Sequence, residues 1–189
     1  MKIKVLVGSA AVVMLALIAF IIVQVTSGPE VDRPLNVAAR AVPAAAACDP
    51  GRGDCLPKLD FVDHNGIVFA APSLVGKVVV VNFWATWCKP CQKEIPDFNR
   101  VYTAYKDRGV VFLGVMTDAP EPGILLNFMS DYEMTYPVIP ATNENLLAFG
   151  YPEAIPTTFI YDRAGNRHTM KRGALEEKEL REVIDELVR

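Results

Sequence analysis

The sequence predicts an α/β domain with a central mixed sheet flanked by helices, preceded by an N-terminal membrane-spanning segment. An apolar run of four valines from Val78 leads through Asn82 to the aromatic residues Phe83 and Trp84, which is typical of a strand covered on both faces. A helical pattern follows at once, and the next apolar strand, Val110 to Met116, then favours a parallel strand-helix-strand unit. Near the C-terminus, a strand led by Pro156 and a short turn predict an antiparallel hairpin, so the sheet is expected to be mixed.

Length, charge and cysteine content narrow the class of protein. The 189 residues fit one domain of ordinary size with an extension. A formal net charge of -3 provides no basic surface, so nucleic acid is not expected as a partner. Four cysteines are too few for a disulfide scaffold, but they are grouped as Cys48 with Cys55 and Cys88 with Cys91. That grouping indicates thiol chemistry.

The N-terminal segment, residues 1–27, is predicted to be a membrane anchor. No charged residue lies between Val5 and Val25, and about 20 apolar residues match the thickness of a bilayer crossed as a helix. A signal peptide has a shorter apolar region, so an uncleaved span is favoured over a signal sequence cleaved after Ser27. Lys2 and Lys4 precede the span. The positive-inside rule therefore predicts a cytoplasmic N-terminus with the rest of the chain outside, which at a bacterial inner membrane is the periplasmic side.

Residues 28–57 are predicted to form an extracytoplasmic tether, because Gly, Pro and Ala are frequent and no apolar period is sustained. Cys48 and Cys55 flank an Asp-Pro-Gly-Arg-Gly-Asp segment that favours a tight reversal, which brings the two sulfurs within reach of each other. In an oxidising compartment a local disulfide is the simplest interpretation. The alternatives are a second redox pair that exchanges electrons with Cys88 and Cys91, cross-pairing, or free thiols.

Residues 58–189 are predicted to form the globular domain, which begins with a β-hairpin. Apolar residues alternate with polar or small ones on both sides of an Asn-Gly turn at Gly66; they are Leu59, Phe61, Ile67 and Phe69. Ser73 is predicted to start a short turn before the central strand.

The first long helix follows the second cysteine pair. Apolar residues recur at helical spacing up to a stop at Gly109; they are Ile95, Phe98, Val101, Tyr102 and Tyr105. Pro96 falls inside this helix and has no N–H to donate to the carbonyl of Gln92, so a kink is expected.

The second half of the chain alternates helices and strands. Pro120 and Pro122 open a predicted helix. A short strand is predicted at Pro137 to Ile139, followed by a helix from Asn143 to Phe149 that ends at Gly150.

The C-terminal part is predicted to contain the hairpin and a last helix. The Asp162–Asn166 turn leads from the strand after Pro156 into a strand from Arg167 to Arg172. The last helix has one apolar face, formed by Leu180, Val183, Ile184, Leu187 and Val188.

Cys88 and Cys91 are the candidate redox pair. Residues three apart share a face of one helical turn, so the two sulfurs can bond. Cys88 lies at the helix start, where unpaired backbone N–H groups and the helix dipole favour a thiolate, which makes it the candidate nucleophile. Cys91, further inside the helix, then resolves the mixed disulfide. Lys89 adds a positive charge, and Pro90 suits the first helical turn.

The segment Phe-Trp-Ala-Thr-Trp-Cys-Lys-Pro-Cys, with Glu94 and Pro96 behind it, resembles the TlpA, ResA and CcmG group of thioredoxin-like, membrane-tethered thiol:disulfide oxidoreductases. The resemblance extends from residue 58 to the C-terminus and includes the Ile-Pro-Thr-Thr-Phe stretch. It implies a thioredoxin-like fold with an added N-terminal hairpin. It also implies a cis peptide bond at Ile155-Pro156, in a loop that faces the two cysteines. The residues expected to contact substrate proteins are Trp87, Lys89, Pro90, Ile155 and Pro156.

The resemblance also assigns a role to Glu94. Thioredoxin carries a buried Asp on its central strand that serves proton transfer, whereas this chain has Asn82 there, and Asn cannot titrate. In the resembled group a Glu three residues after the second cysteine is credited with that work, and Glu94 occupies this place. Cys91 and Glu94 share a helix face, so the carboxylate can exchange a proton with the thiol. The alternative is a solvated first-turn carboxylate.

The expected function is an extracytoplasmic reductase of cysteine pairs in partner proteins such as apocytochrome c. It would receive electrons from a membrane thiol transporter and need no cofactor. Because a CxxC motif does not state the direction of electron flow, a thiol oxidant or disulfide donor is the alternative. A peroxiredoxin is disfavoured because it needs a Thr or Ser and a Pro where Ala85 and Val81 stand. A soft-metal or copper-binding module would use the four cysteines, but no histidine pair has metal-ligand spacing and no metal site is expected.

Overall fold

The computed structural model describes Cys48 and residues 54–189. In chain order the elements are β1 (Phe61–Val62), β2 (Val68–Phe69), α1 (Ala71–Leu74), β3 (Val78–Trp84), α2 (Lys89–Tyr105), β4 (Val110–Met116), α3 (Pro122–Asp131), β5 (Val138–Pro140), α4 (Asn143–Ala148), β6 (Thr157–Tyr161), β7 (Arg167–Arg172) and α5 (Glu177–Leu187). The predicted α/β class with flanking helices is confirmed in this part of the chain.

The main sheet has five strands in the order β5-β4-β3-β6-β7. Strands β3, β4 and β5 are parallel, whereas β6 runs antiparallel to β3 and β7 antiparallel to β6. The predicted mixed sheet and its C-terminal hairpin are therefore confirmed. Strands β1 and β2 form the predicted N-terminal hairpin as a separate two-stranded sheet.

Strand β3 divides the core into two apolar clusters, because successive side chains of a strand point to opposite faces. Val78, Val80 and Trp84 pack with buried residues of α2 and α5. Val79, Val81 and Phe83 pack on the other face with the hairpin and with residues around α4. All seven residues of β3 are buried, which explains why six of them are apolar. Full burial of one such side chain contributes about 1.5–3 kcal/mol to stability.

Most predicted boundaries agree with the structure to within a few residues, and the differences are small. Helix α2 ends at Tyr105, and a single 3-10 turn then leads to Gly109, whose φ of 80° is the left-handed conformation that ends the helix. Ser73 lies inside α1 instead of starting a turn. Strand β5 begins one residue later than predicted, at Val138. Pro137 has no N–H to donate, and only its carbonyl takes part, accepting from the N–H of Gly114.

The predicted membrane span, Val5 to Val25, and most of the predicted tether, residues 28–57, lie outside the described residues. Within residues 54–189, none of the helices is long and apolar enough to cross a bilayer.

Substituting Gly114 by Ala is expected to destabilise the domain by about 1–3 kcal/mol, because overpacking a filled core forces side chains from their rotamers. A Cβ at Gly114 would lie 2.8 Å from Cε2 of Tyr136 and 3.2 Å from the carbonyl oxygen of Pro137. The Tyr136 ring is 3% exposed and packs against Phe98 and Phe112, so it has little room to move. The measurement is the free energy of unfolding from urea titrations.

Gly123→Ala is the matched control for that substitution. Gly123 lies in α3, and a Cβ there would meet nothing within 4 Å. Because Ala is the better helix former, this variant is expected to gain about 0.5–1 kcal/mol. Equal stabilities for the two variants would show that the contact around Gly114 has been described wrongly.

Candidate active site

The two candidate redox cysteines, Cys88 and Cys91, lie where β3 passes into α2. The N–H of Cys88 donates to the carbonyl oxygen of Ala85 at 3.1 Å, which closes a turn after Trp84. Cys88 is the N-cap of α2, and Cys91 lies in the first helical turn. The two sulfurs are joined in a disulfide, so the structure describes the oxidised form. The sequence prediction placed both residues correctly relative to the strand and the helix.

The surroundings of the two sulfurs are unequal. Cys91 is fully buried, whereas Cys88 keeps 4% of its surface exposed. The backbone N–H of Cys91 donates to Sγ of Cys88 at 3.3 Å. A hydrogen bond from a helix N-terminus supports negative charge on that sulfur once the disulfide is opened. The geometry therefore favours Cys88 as the sulfur that meets a partner and Cys91 as the internal one.

The predicted substrate-contact residues lie at the same end of the sheet. Trp87 is 68% exposed, and Lys89 and Pro90 are also exposed. The Ile155-Pro156 peptide bond is cis, and the next residue, Thr157, pairs with Phe83 near the end of β3.

Ile155 packs against the cluster that contains both redox cysteines, and Pro156 is buried. The structure thus brings the proline loop and the helix start together. Contact of these residues with a partner protein stays a prediction.

Glu94 is buried one helical turn beyond Cys91, with 3% of its surface exposed. Its Oε1 accepts from Nδ2 of Asn82 at 2.9 Å, and its Oε2 accepts from the backbone N–H of Leu175 at 3.0 Å. The alternative of a solvated carboxylate is therefore wrong. Glu94 is buried because it lies on the inward face of α2, between the sheet and the segment that precedes α5.

Burial raises the pKa of Glu94 from 4.5 to about 7. The hydrogen bonds from Leu175 and Asn82 oppose this increase, and the negative charge of Asp97 adds to it. A carboxyl group that titrates near neutrality can both accept and release a proton under ordinary conditions. Glu94 thus has the properties that its predicted role requires, and proton exchange with Cys91 stays a prediction.

Asn82 has a role that the sequence interpretation missed. Beyond lacking a titratable group, its side-chain amide donates both to Glu94 and to Oγ1 of Thr158, the latter at 3.0 Å. Asn82 is 2% exposed and Thr158 is fully buried. One signal was available in the sequence, because a single amide inside a buried apolar strand requires a hydrogen-bond partner. What the sequence does not contain is the identity of that partner.

Cys48 and Cys55 are joined in a second disulfide. Three backbone hydrogen bonds attach this region to the turn after β6: the N–H of Cys48 donates to Ala164, that of Leu56 to Gly165, and that of Arg167 to Asp54. An isolated bridge also pairs Cys55 with Asn166.

This second disulfide lies at the far end of the sheet from Cys88. The turn that carries it follows Tyr161, which pairs with Val79 at the start of β3, whereas Cys88 follows the end of β3. The intervening strand from Val79 to Phe83 is about 13 Å long at the usual rise per residue. The two pairs are not brought together, and the cross-pairing alternative is wrong.

Metal ligation was the remaining chemistry considered for these cysteines. Cys48 and residues 54–189 contain no group of three or more His, Cys, Asp or Glu side chains placed to hold a metal ion.

Comparisons with known proteins relate the chain to one group. The profile of the AhpC/TSA family matches residues 52–166. Thiol-disulfide oxidoreductase ResA of Bacillus thuringiensis subsp. konkukian is 33% identical over 133 residues, which cover 69% of this chain and 75% of that protein. ResA of Bacillus cereus is 34% identical over 109 residues, which cover 58% of this chain and 62% of that protein. The match therefore spans less than two thirds of the length of this second relative.

A solved structure shares the architecture. A thiol:disulfide interchange protein of the thioredoxin family from Chlorobium tepidum superposes with a TM-score of 0.65 and 34% sequence identity. The superposition covers 71% of this chain and 96% of that one. The fold described above is therefore thioredoxin-like.

Replacing Glu94 with Gln is expected to remove a pH dependence of stability. The pKa of Glu94 is higher in the folded state than in the unfolded chain, so its contribution is most favourable below pH 4.5 and is lost as pH rises to about 7. The stability of the wild type relative to Glu94→Gln should fall by about 3 kcal/mol between pH 4.5 and pH 8. Urea unfolding of both proteins across this range measures the difference.

Glu177→Gln provides the control for this experiment. Hydrogen bonds from Arg100 and Arg181 lower the pKa of Glu177, so its contribution to stability is lost as pH falls. The two substitutions should therefore change the pH profile in opposite directions. A flat difference between wild type and Glu94→Gln would contradict the raised pKa.

Removing the second disulfide with the pair Cys48→Ser and Cys55→Ser is expected to lower stability by about 2 kcal/mol, because a short loop is no longer constrained in the unfolded chain. The reduction potential of Cys88 and Cys91 should stay unchanged, because the two pairs lie at opposite ends of the sheet. Thermal unfolding and equilibration with glutathione measure the two quantities. A shifted potential at unchanged stability would instead support electron exchange between the pairs.

Proposed function

The chain belongs to the AhpC/TSA family and is a ResA-like thiol:disulfide oxidoreductase, and from this premise we propose that it reduces disulfides of specific partner proteins outside the cytoplasm. The observation that carries the proposal is the arrangement around Cys88 and Cys91. Cys88, which keeps 4% of its surface exposed, caps a helix, its partner Cys91 is fully buried, and the buried carboxyl of Glu94 lies one turn further on. These are the parts that thiol-disulfide exchange requires.

In the first half of the cycle a donor dithiol reduces the Cys88–Cys91 disulfide. One donor thiolate attacks a sulfur of the disulfide, the second donor thiolate resolves the mixed disulfide, and the donor leaves oxidised. Two electrons and two protons pass to Cys88 and Cys91. We assign the donor role to a membrane thiol transporter, because the predicted N-terminal span, Val5 to Val25, holds the domain at the membrane surface.

In the second half the electrons pass to the substrate protein. The thiolate of Cys88 attacks one sulfur of the partner's disulfide, and the other partner sulfur leaves as a thiolate that takes up a proton. Cys91 then loses its proton to the carboxylate of Glu94 and attacks Sγ of Cys88. The second partner sulfur is released and protonated, and the Cys88–Cys91 disulfide forms again. The partner has gained two electrons and two protons.

The buried carboxyl suits this sequence of events because its pKa of about 7 matches the operating pH. A proton acceptor is needed only when Cys91 attacks. At that moment a bound partner covers the exposed surface formed by Trp87, Lys89 and Pro90. An internal group, held by Asn82 and the backbone of Leu175, is available without opening the complex.

The substrate class we propose is a protein with a cysteine pair that has to stay reduced, such as apocytochrome c before haem attachment, on the periplasmic side of a bacterial inner membrane. The support for this place is the predicted anchor with Lys2 and Lys4 before it, together with the ResA-like family.

A Cys91→Ser variant is expected to accumulate a mixed disulfide with its partner, because Cys88 can still attack but nothing resolves the product. Cys88→Ser, which leaves only the buried Cys91, should trap at least tenfold less. The measurement is non-reducing electrophoresis of the full-length chain expressed in its membrane, followed by identification of the trapped partner. Equal trapping by both variants would refute the assignment of Cys88 as nucleophile.

The reduction potential decides the direction of electron flow. Equilibration of the wild type with glutathione should give a potential well below about -200 mV, as expected for a reductant. A reduction potential of about -120 mV is typical of strong disulfide donors and would overturn the proposed direction of electron flow.

A further inference from the structure

The turn that presents Cys88 is fastened by a residue outside the motif. Thr86 lies inside this turn, which is closed by the hydrogen bond from Cys88 to Ala85. The backbone N–H of Thr86 donates to both carboxylate oxygens of Asp118 at 3.2 Å, and its hydroxyl donates to Oδ2 of Asp118 at 2.5 Å. Both donors of Thr86 are therefore satisfied by one side chain.

The other side of Thr86 is held as well. Its carbonyl oxygen accepts from Nε2 of Gln92 at 2.6 Å, and Oε1 of the same Gln92 side chain accepts from Nζ of Lys89 at 3.2 Å. The N–H, the hydroxyl and the carbonyl of Thr86 thus all have side-chain partners. The partner of the carbonyl lies on α2, and the partner of the other two groups lies on the segment after β4.

Asp118 is itself fixed in place. It follows Thr117, whose backbone N–H and hydroxyl both donate to the carbonyl oxygen of Trp84, at 2.8 and 3.1 Å. Thr117 and Asp118, which directly follow β4, are therefore hydrogen-bonded to Trp84 and Thr86, where the chain leaves β3. Because a thiolate must approach a disulfide sulfur in a defined direction, the position of Cys88 depends on this attachment.

Asp118 also brings a carboxylate to the turn that carries Cys88, through its hydrogen bonds to Thr86. Among the described residues, two charged groups are joined to this turn by hydrogen bonds. Asp118 binds Thr86 directly, and Lys89 is connected to it through Gln92. Glu94 lies further along α2. A carboxylate near the nucleophile makes a thiolate less favourable, opposing Lys89 and the helix N-terminus. A dithiol whose thiolate form is less stabilised is the stronger reductant.

We propose that Asp118 is a positioning residue for thiol-disulfide exchange, which holds the Thr86 turn in place and whose negative charge biases the Cys88–Cys91 pair towards donating electrons. This inference rests on the proposed function, and it supplies a physical reason for the direction of electron flow.

The test compares Asp118→Asn with Asp118→Ala and Thr86→Val. Asn preserves an acceptor for the N–H of Thr86 but removes the charge, whereas Ala removes both. Val at position 86 removes the hydroxyl and leaves the carboxylate. Asp162→Asn is the matched control, because Asp162 also accepts hydrogen bonds from its own turn but lies at the opposite end of the sheet.

Asp118→Asn should shift the equilibrium with glutathione towards the reduced pair by about threefold to tenfold, corresponding to a pKa change at Cys88 of about half a unit to one unit. Alkylation of Cys88 by iodoacetamide should begin at correspondingly lower pH. Thr86→Val should slow the reduction of a model disulfide severalfold while the glutathione equilibrium stays near that of the wild type. Asp118→Ala should show both changes, and Asp162→Asn neither.

Two results would overturn the inference. An alkylation profile and a glutathione equilibrium that are the same in Asp118→Asn as in the wild type remove the role of the charge. Undiminished rates in both Asp118→Ala and Thr86→Val, with unfolding transitions like the wild type, remove the positioning role. If the wild type fails to reduce protein disulfides but Asp118→Asn still shifts the equilibrium, the proposed function fails and the inference about Asp118 stands.

Discussion

The double-sided burial of β3 is the constraint on which the rest of the structure depends. A strand with every side chain out of water needs an apolar layer on each face, and the two clusters around Val80 and Val81 supply those layers. One layer is the helix that starts with Cys88. The chain must therefore turn sharply after Trp84 and begin α2 at the carboxyl end of β3, the central strand of the sheet. Cys88, the candidate nucleophile, lies where a buried strand becomes a helix N-terminus, a place that favours a thiolate.

The same burial explains the unusual state of a carboxyl group inside the domain. Glu94 lies among apolar residues of α2, where an isolated carboxylate would be strongly disfavoured. Asn82 and the backbone N–H of Leu175 each provide one hydrogen bond, which keeps both protonation states accessible. The strand therefore contributes an uncharged donor, and the helix contributes the titrating group. The strand residue, Asn82, is therefore neutral, and the ionisable residue, Glu94, is on the helix.

The two disulfides differ in their attachments. Cys88 and Cys91 lie at the end of the sheet that is ringed by the loops after β3 and β4 and before β6. The pair Cys48–Cys55 is fixed by backbone hydrogen bonds to the turn between β6 and β7. This attachment lies at the opposite end of the sheet from the turn that carries Cys88. The turn itself is instead secured by side chains such as Asp118, which combine hydrogen bonding with charge.

The sequence by itself determined the elements whose signals are local. Neighbouring residues alone predict a strand from the apolar run that begins at Val78 and a helix from the spacing after Cys91. They also predict a reversal of the chain before Arg167. The structure has all three. The family resemblance added the cis bond at Pro156 and the importance of Glu94, which propensity alone does not contain.

Only the tertiary structure decided which distant groups meet. The donors to Glu94 come from positions 12 residues before it and 81 residues after it, and Asp118 reaches Thr86 across 32 residues. No local pattern encodes such contacts, because they arise when the sheet aligns β3 with β4 and when α2 packs beside the segment before α5. A buried polar group has to find a partner, but its identity depends on which strands are neighbours. The chemistry of the two cysteines was therefore visible in the sequence, whereas the groups that hold and tune them became visible only in the fold.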